Sequence, residues 1–202
     1  NGPMASQFDV CIRGGGIVGR TLALQLAAKR LRVALHAPAP ASPPGPDVRA
    51  YALNVTSRSL LEAVRCWPSD TAATPIAAMQ VQGDDGARVQ FSAQEQGVAA
   101  LNWIVDVPAV EALLVEAVRF QPQIELVNTP APATLTVVCE GRHSATRDEF
   151  GVHFEAAPYD QHALATRVLC EKAHGETARQ WFSTEGEILA FLPLGGVGGR
   201  EC

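Results

Sequence analysis

The stretch IRGGGIVGRT (12–21) constrains this chain more than any other. It places a Gly-x-Gly-x-x-Gly run at the end of an apolar strand, FDVCI (8–12), and in front of a helical pattern in which Leu22, Ala23, Leu26 and Ala27 recur on one face. RVALH (32–36) then reads as a second strand, so the order is βαβ, which favours a parallel sheet. In such a unit Gly14 serves the tight turn, Gly16 lets backbone approach a phosphate, and Gly19 lets helix and strand pack closely. The helix N-terminus adds free N–H groups and positive partial charge toward an anion. The motif therefore predicts a dinucleotide pyrophosphate site.

Its surroundings qualify that reading. A ribose-binding Asp or Glu is expected near the end of the second strand, but His36 and Ala37 stand there, and no acidic residue occurs from Val10 to Pro46. Arg13 and Arg20 flank the glycines; they can draw in phosphate, or Arg13 can fill the space a pyrophosphate needs. His36 is otherwise a strand-end histidine half in solvent.

Further along, the patterning alternates between helix and strand. APAPASPPGP (37–46) has five prolines and reads as a stiff connector or loop. Asn54 or Thr56 is placed to cap a helix carrying Leu60, Leu61 and Val64. MQVQGDDGARVQF (79–91) reads as a hairpin about an Asp-Gly turn, and turn chemistry rather than metal binding accounts for Asp84 and Asp85. Pro108 suits the first turn of a helix bearing Val110, Leu113, Leu114 and Ala117. QIELV (123–127) and TLTVVC (134–139) read as strands, SATRDEFG (144–151) as a short helix ending in glycine. The tail from Val152 reads as strand-rich, with Tyr159 and Gln161 alternating along a strand and a hairpin turning at Glu185-Gly186.

Composition excludes several classes. Of 202 residues 47% are hydrophobic, enough for a real core, and 21 acidic against 16 basic residues give a net charge of −5. That leaves no polybasic footprint for nucleic acid or anionic lipid. Five scattered cysteines without a C-x-x-C pair read as reduced thiols, which suits a cytoplasmic chain. No metal site is expected, because His153, His162 and His174 have no partner at metal or triad spacing. No run of apolar residues is long enough to span a bilayer, and NGPMAS (1–6) reads as a tag remnant.

The second half carries a resemblance. CEGRHSATR (139–147) resembles the Asp-Gly-x-x-Ser-x-x-Arg motif of flavoprotein hydroxylases, with Glu140 in the aspartate's place. RAYALNVTSRSLLEAV (49–64) is similar to the Arg-Ala-x-Ala-Leu segment of the same family, and GVAALNWIVDVPAVEALLVEAV, FGVHFEAAPYDQHALATRV and EILAFLPL follow its order. Together the matches run from Phe8 to about Gly196. The chain thus resembles the class A FAD-dependent aromatic monooxygenases, the para-hydroxybenzoate hydroxylase class, most of all the ubiquinone-biosynthesis hydroxylases.

The resemblance implies a Rossmann-like FAD-binding α/β core (7–75 and 102–150) with an antiparallel β substrate-domain portion (76–101 and 151–202). It implies FAD as cofactor, NAD(P)H as co-substrate, and O₂-dependent hydroxylation of an aromatic, prenylated phenol. By position Gly14, Gly16 and Gly19 would hold the pyrophosphate, Arg49 would lie near the FAD phosphates or ribose, and Glu140 and Gly141 would approach the pyrophosphate and pyridine-nucleotide side; Ser144 and Arg147 would fix the local turn. No catalytic residue is assigned. Trp103 is placed toward the substrate side. A greasy substrate implies other ubiquinone-biosynthesis proteins as partners and a place in the cytoplasm or peripheral to the inner membrane.

The departures from the family pattern fall on cofactor-facing positions. Val107 and Pro108 replace polar residues, NTPAPAT (128–134) is short, and the later Gly-Asp motif is not among these residues. The expectation is a chain truncated at its C-terminus that is isolated without bound FAD. The alternative is a degenerate, non-catalytic scaffold or lipid-intermediate binder.

Overall fold

The computed structural model describes residues 7–38 and 45–202, so NGPMAS and most of the proline-rich connector lie outside the described residues. The chain divides into two compact units, the first comprising Asn1–Gly45, Leu60–Cys66 and Glu111–Ala163, the second Pro46–Ser59, Trp67–Val110 and Leu164–Cys202.

The first unit is built on the glycine motif. Strand β1 (Phe8–Arg13) leads through the glycines into helix α1 (Ile17–Ala28), and β2 (Val33–His36) returns parallel to β1. α1 starts five residues before Leu22, the first residue of its apolar pattern. Backbone geometry at Gly16, which is extended (φ −76°, ψ −172°) and serves as N-cap, sets that start rather than any polar capping side chain. Arg30, at φ +65°, ends the helical stretch.

The second unit opens with β3 (Ala50–Leu53) and the start of α2 (Val55–Ala63), whose last residues belong to the first unit. Of the two cap candidates Asn54 does the work: its Oδ1 accepts from Ser57 N at 2.9 Å, while Thr56 lies inside the helix. Strand β4 (Ala73–Ile76), β5 (Ala78–Gly83), β6 (Arg88–Ser92) and β7 (Asn102–Asp106) follow. β5 and β6 form the expected hairpin, with Gly86 at φ +88° in its turn and Asp85 Oδ1 accepting from Ala87 N. Helix α3 (Val107–Arg119) carries Pro108 as its second residue. It leads to β8 (Ile124–Val127) and β9 (Ala133–Val138), which complete a four-stranded, wholly parallel sheet in the order β8-β2-β1-β9. Val33, Ala34, Leu35, Cys11 and Ile12 on its central strands are fully buried, as expected for a sheet covered on both faces. Helix α4 (Thr146–Glu149) ends at Gly151, whose φ of +66° is the left-handed closing conformation.

Two further sheets belong to the second unit. β3, β7 and β4 pair antiparallel in that order. β10 (Thr177–Phe182) and β11 (Ile188–Phe191) form the hairpin expected at Glu185-Gly186 and join β5 and β6 in the order β11-β10-β5-β6. This sheet is mixed, not purely antiparallel, because β10 runs parallel to β5. Ile76, Ile104, Ala178 and Leu194 form the core between these elements. The strand expected from Val152 onward is absent: residues 152–168 are irregular and largely exposed, Tyr159 at 86%, because among the described residues they find no ladder partner before Val168.

Candidate functional site

The glycine loop is a tight backbone crossing. Gly14 N donates to His36 O at 2.9 Å, and Cys139 N donates to Arg13 O at 2.6 Å, so the ends of β2 and β9 clamp the turn from both sides. Gly14 sits at φ +117°, and a Cβ there would fall on the Cys139 carbonyl oxygen. A Cβ on Gly19 would strike Gly14 O. Both positions therefore require glycine for chain geometry alone. Gly16 differs: a Cβ there would meet nothing within 4 Å. The first turn of α1 has no acidic residue and no side-chain cap, so no side chain of the N-cap takes up its N–H groups. The uncapped N-terminus, the open space at Gly16 and the helix dipole fit a pyrophosphate.

The flanking arginines are engaged elsewhere. Arg13 forms a two-pronged pair with Glu149 (Nη1–Oε2 2.6 Å, Nη2–Oε1 3.2 Å) and lies over the Phe150 ring at 5.4 Å. The Glu149 hydrogen bond, above all, raises its pKa further. Arg20 folds back so that Nε donates to Gly15 O at 2.6 Å. Burial lowers its pKa, opposed by the charge of Glu111. A Cβ on Gly15 would fall against Ala37, which together with His36 occupies the end of β2 where a ribose carboxylate would be expected. The residues present thus fit the pyrophosphate of a dinucleotide and offer no carboxylate at β2 for its ribose.

Glu140 is turned inward. Its carboxylate accepts from Ser144 Oγ (2.6 Å), Thr146 Oγ1 (2.6 Å) and Thr146 N (3.3 Å), tying the 3₁₀ turn Gly141–His143 to the start of α4. Burial works to raise its pKa, yet the hydrogen bonds from Ser144 and Thr146, with help from Arg13, hold it below the usual carboxylate range. Gly141, at φ +73° with open space at its Cβ, lets the chain turn beside it. Ser144 fixes this turn, and Arg147 does so through the Arg142 carbonyl while lying over the Phe154 ring at 3.9 Å.

Arg49, in the second unit, grips Asp47, with Nε to Oδ1 at 2.9 Å and Nη2 to Oδ2 at 2.6 Å. The Arg49 hydrogen bonds hold the Asp47 carboxyl down to about 2. Arg167 pairs with Asp106 and also reaches the carbonyls of Val48 and Arg49. Sequence reasoning missed this pair, because the residues stand 61 positions apart with no local signal. In the same unit Trp67 and Trp103 meet edge to face at 6.0 Å, with the Arg58 guanidinium over both rings at 5.0 and 4.7 Å. These residues line a cavity of about 540 Å³ that Thr74, Pro75, Ala100 and Leu194 also border. His174 nearby is buried and fully occupied: Nδ1 accepts from Glu176 N and Nε2 faces Leu194 O, both at 3.0 Å. Among the described residues no three His, Cys, Asp or Glu gather as a metal ion would need, and no helix is long and apolar enough to cross a membrane.

No family model matches the chain. It is 29% identical to 3-demethoxyubiquinol 3-hydroxylase of Escherichia coli, over 92% of this chain and 54% of that protein. It is 24% identical to the ubiquinone hydroxylase UbiL of Rhodospirillum rubrum, over 93% and 49%. The chain thus spans about half the length of these curated relatives. Among solved structures it superposes on PqsL of Pseudomonas aeruginosa, described as a probable FAD-dependent monooxygenase, with a TM-score of 0.76 at 18% identity, covering 94% of this chain and 58% of that one. This chain shares the fold of that structure. The resemblance read from the glycine loop and the Glu140–Arg147 segment is to the class these proteins represent.

Proposed function

We propose that this chain works in an FAD- and NAD(P)H-dependent monooxygenase that hydroxylates an aromatic, prenylated phenol in ubiquinone formation. The observation that carries the reading is the glycine crossing between β1 and α1, open at Gly16, in a chain 29% identical to a demethoxyubiquinol hydroxylase. Gly14, Gly16 and Gly19 shape the pyrophosphate cradle, and the N–H groups of α1 supply its donors. Arg49 stands in the second unit as a candidate for the FAD phosphates or ribose, exchanging Asp47 for them. Gly141, beside the locked carboxylate of Glu140, is the backbone position that can approach the dinucleotide, whereas the carboxylate itself holds the turn. FAD, when bound, supplies the oxygen chemistry; the protein orients and excludes water. The Trp67–Trp103 wall suits an aromatic ring. A prenylated substrate would bring the protein to a membrane surface or to other enzymes of the route.

Titration of the chain with FAD, ADP and riboflavin, followed by flavin fluorescence, tests the cradle. FAD should bind saturably, ADP should compete and riboflavin should not. Gly16→Val fills open space, so it should cost no more than about 1 kcal/mol in stability as an N-cap change while weakening FAD at least roughly tenfold. Equal FAD affinity in the variant would sink the assignment. Phenol-stimulated NADPH oxidation by the full-length product separates a hydroxylase from a plain reductase.

A further inference from the structure

Two cysteines that lie far apart in sequence meet where the last residues pair with the segment before β10. Val168 N donates to Cys202 O at 2.8 Å, Cys202 N returns the bond to Val168 O at 3.0 Å, and Cys170 N donates to Arg200 O at 2.8 Å. Between them Leu169 and Glu201 form an antiparallel bridge. In this register residue 168 stands opposite 202 and residue 170 opposite 200, so all four side chains share one face. Cys170 and Cys202 are diagonal neighbours on that face.

We propose that Cys170 and Cys202 form a reversible disulfide that staples this strand pair. A regular diagonal, at about 7–8 Å, lies just beyond the backbone separation of about 4.4–6.8 Å that a disulfide spans, so the two strands must draw together by about 1 Å. Here the pairing is short, three cross-strand hydrogen bonds about one bridge, so closing requires only these few residues to move. Both thiols are partly exposed, whereas Cys11 and Cys66 are buried and Cys139 belongs to the first unit. Burial and the contact with Cys170 push the Cys202 thiol up to about 11, so little of it is thiolate at neutral pH.

The step balances with a peroxide as oxidant. The Cys170 sulfur attacks one oxygen of hydrogen peroxide, the O–O bond breaks, and Cys170 becomes a sulfenic acid with release of water. Cys202 then attacks that sulfur, the S–O bond breaks, and a second water leaves as the disulfide forms. Two thiols are oxidised and one peroxide is reduced. The staple would fix the strand pair carrying Arg167 and Glu201, which line a second cavity of about 190 Å³.

Oxidation of the whole chain by hydrogen peroxide, followed by alkylation, intact-mass measurement and peptide mapping, tests this directly. The expected product has lost two hydrogens, takes up label at three of its five cysteines, shows a 170–202 cross-link, and reverts with dithiothreitol. Cys170→Ser and Cys202→Ser should each abolish the cross-link. Full labelling of all five thiols after peroxide, oxidation that stops at one sulfur, or a cross-link elsewhere or between chains would overturn it. The unmutated chain alone decides the matter if either variant fails to fold.

Discussion

Glu140 shows how a residue can keep a motif's position and change its duty. Its carboxylate accepts three hydrogen bonds from Ser144 and Thr146, so it acts on the turn that carries Gly141. Glu140→Gln keeps the size and loses the charge-assisted character of these bonds, which should destabilise the chain by about 1–2 kcal/mol at neutral pH. Because the folded-state pKa is depressed, this stabilisation is fully present above the unfolded carboxylate value of about 4.3. It is lost as pH falls through the lower folded value. Urea unfolding at neutral pH should therefore separate wild type from variant, and the gap should shrink below about pH 4. A gap that stays constant into acid would show that Glu140 acts through shape alone. The lengthened carboxylate was visible in the sequence; its inward turn was not, since that depends on two hydroxyls meeting it across a 3₁₀ turn.

At the scale of elements, local signals carried most of what was legible. The βαβ unit, both hairpins and α3 follow from periodicity, Gly turns and Pro108, all of which act within a dozen residues. What escaped was pairing between distant segments. That β10 would lie parallel to β5, and that residues 152–168 would find no partner, depends on strands about a hundred residues apart. Residues 46–59, 67–75 and 102–110 fall together in the second unit, where β3, β7 and β4 make one sheet. α3 illustrates how far periodicity reaches. Val107, Val110, Leu114 and Val118 are buried at helical spacing, whereas Leu113, placed on that face by sequence, is 37% exposed. Leu114→Ala should cost about 2–5 kcal/mol, and Val115→Ala, one residue further round the helix, should stay within roughly 0.5 kcal/mol. Comparable losses in urea titration would mean that α3 is rotated from this face.

At the scale of the molecule, the two compact units raise the question of whether unfolding is one event. Trp67, Trp103 and Trp181 all lie in the second unit, so tryptophan fluorescence reports on that unit, while far-UV circular dichroism reports on both. Two helices argue for a single transition. α2 begins among residues of the second unit and ends in the first, and α3 does likewise. Helices propagate cooperatively, and one that loses half its length falls below the size that holds in water. Melting the first unit therefore removes four of the nine residues of α2 and nine of the thirteen of α3, the helices on which the second unit's sequence continues. Leu35→Ala probes this, because Leu35 is fully buried on a central strand of the first unit's sheet. The cavity should cost about 2–5 kcal/mol, which moves a urea midpoint by roughly 1–2 M at a slope typical of small proteins. Coupled units require the fluorescence midpoint, far from the substitution, to fall as far as the circular dichroism midpoint. A fluorescence transition that stays in place while the dichroism splits in two would show that the units unfold separately, and that the glycine crossing can be lost while the tryptophan-lined cavity stands.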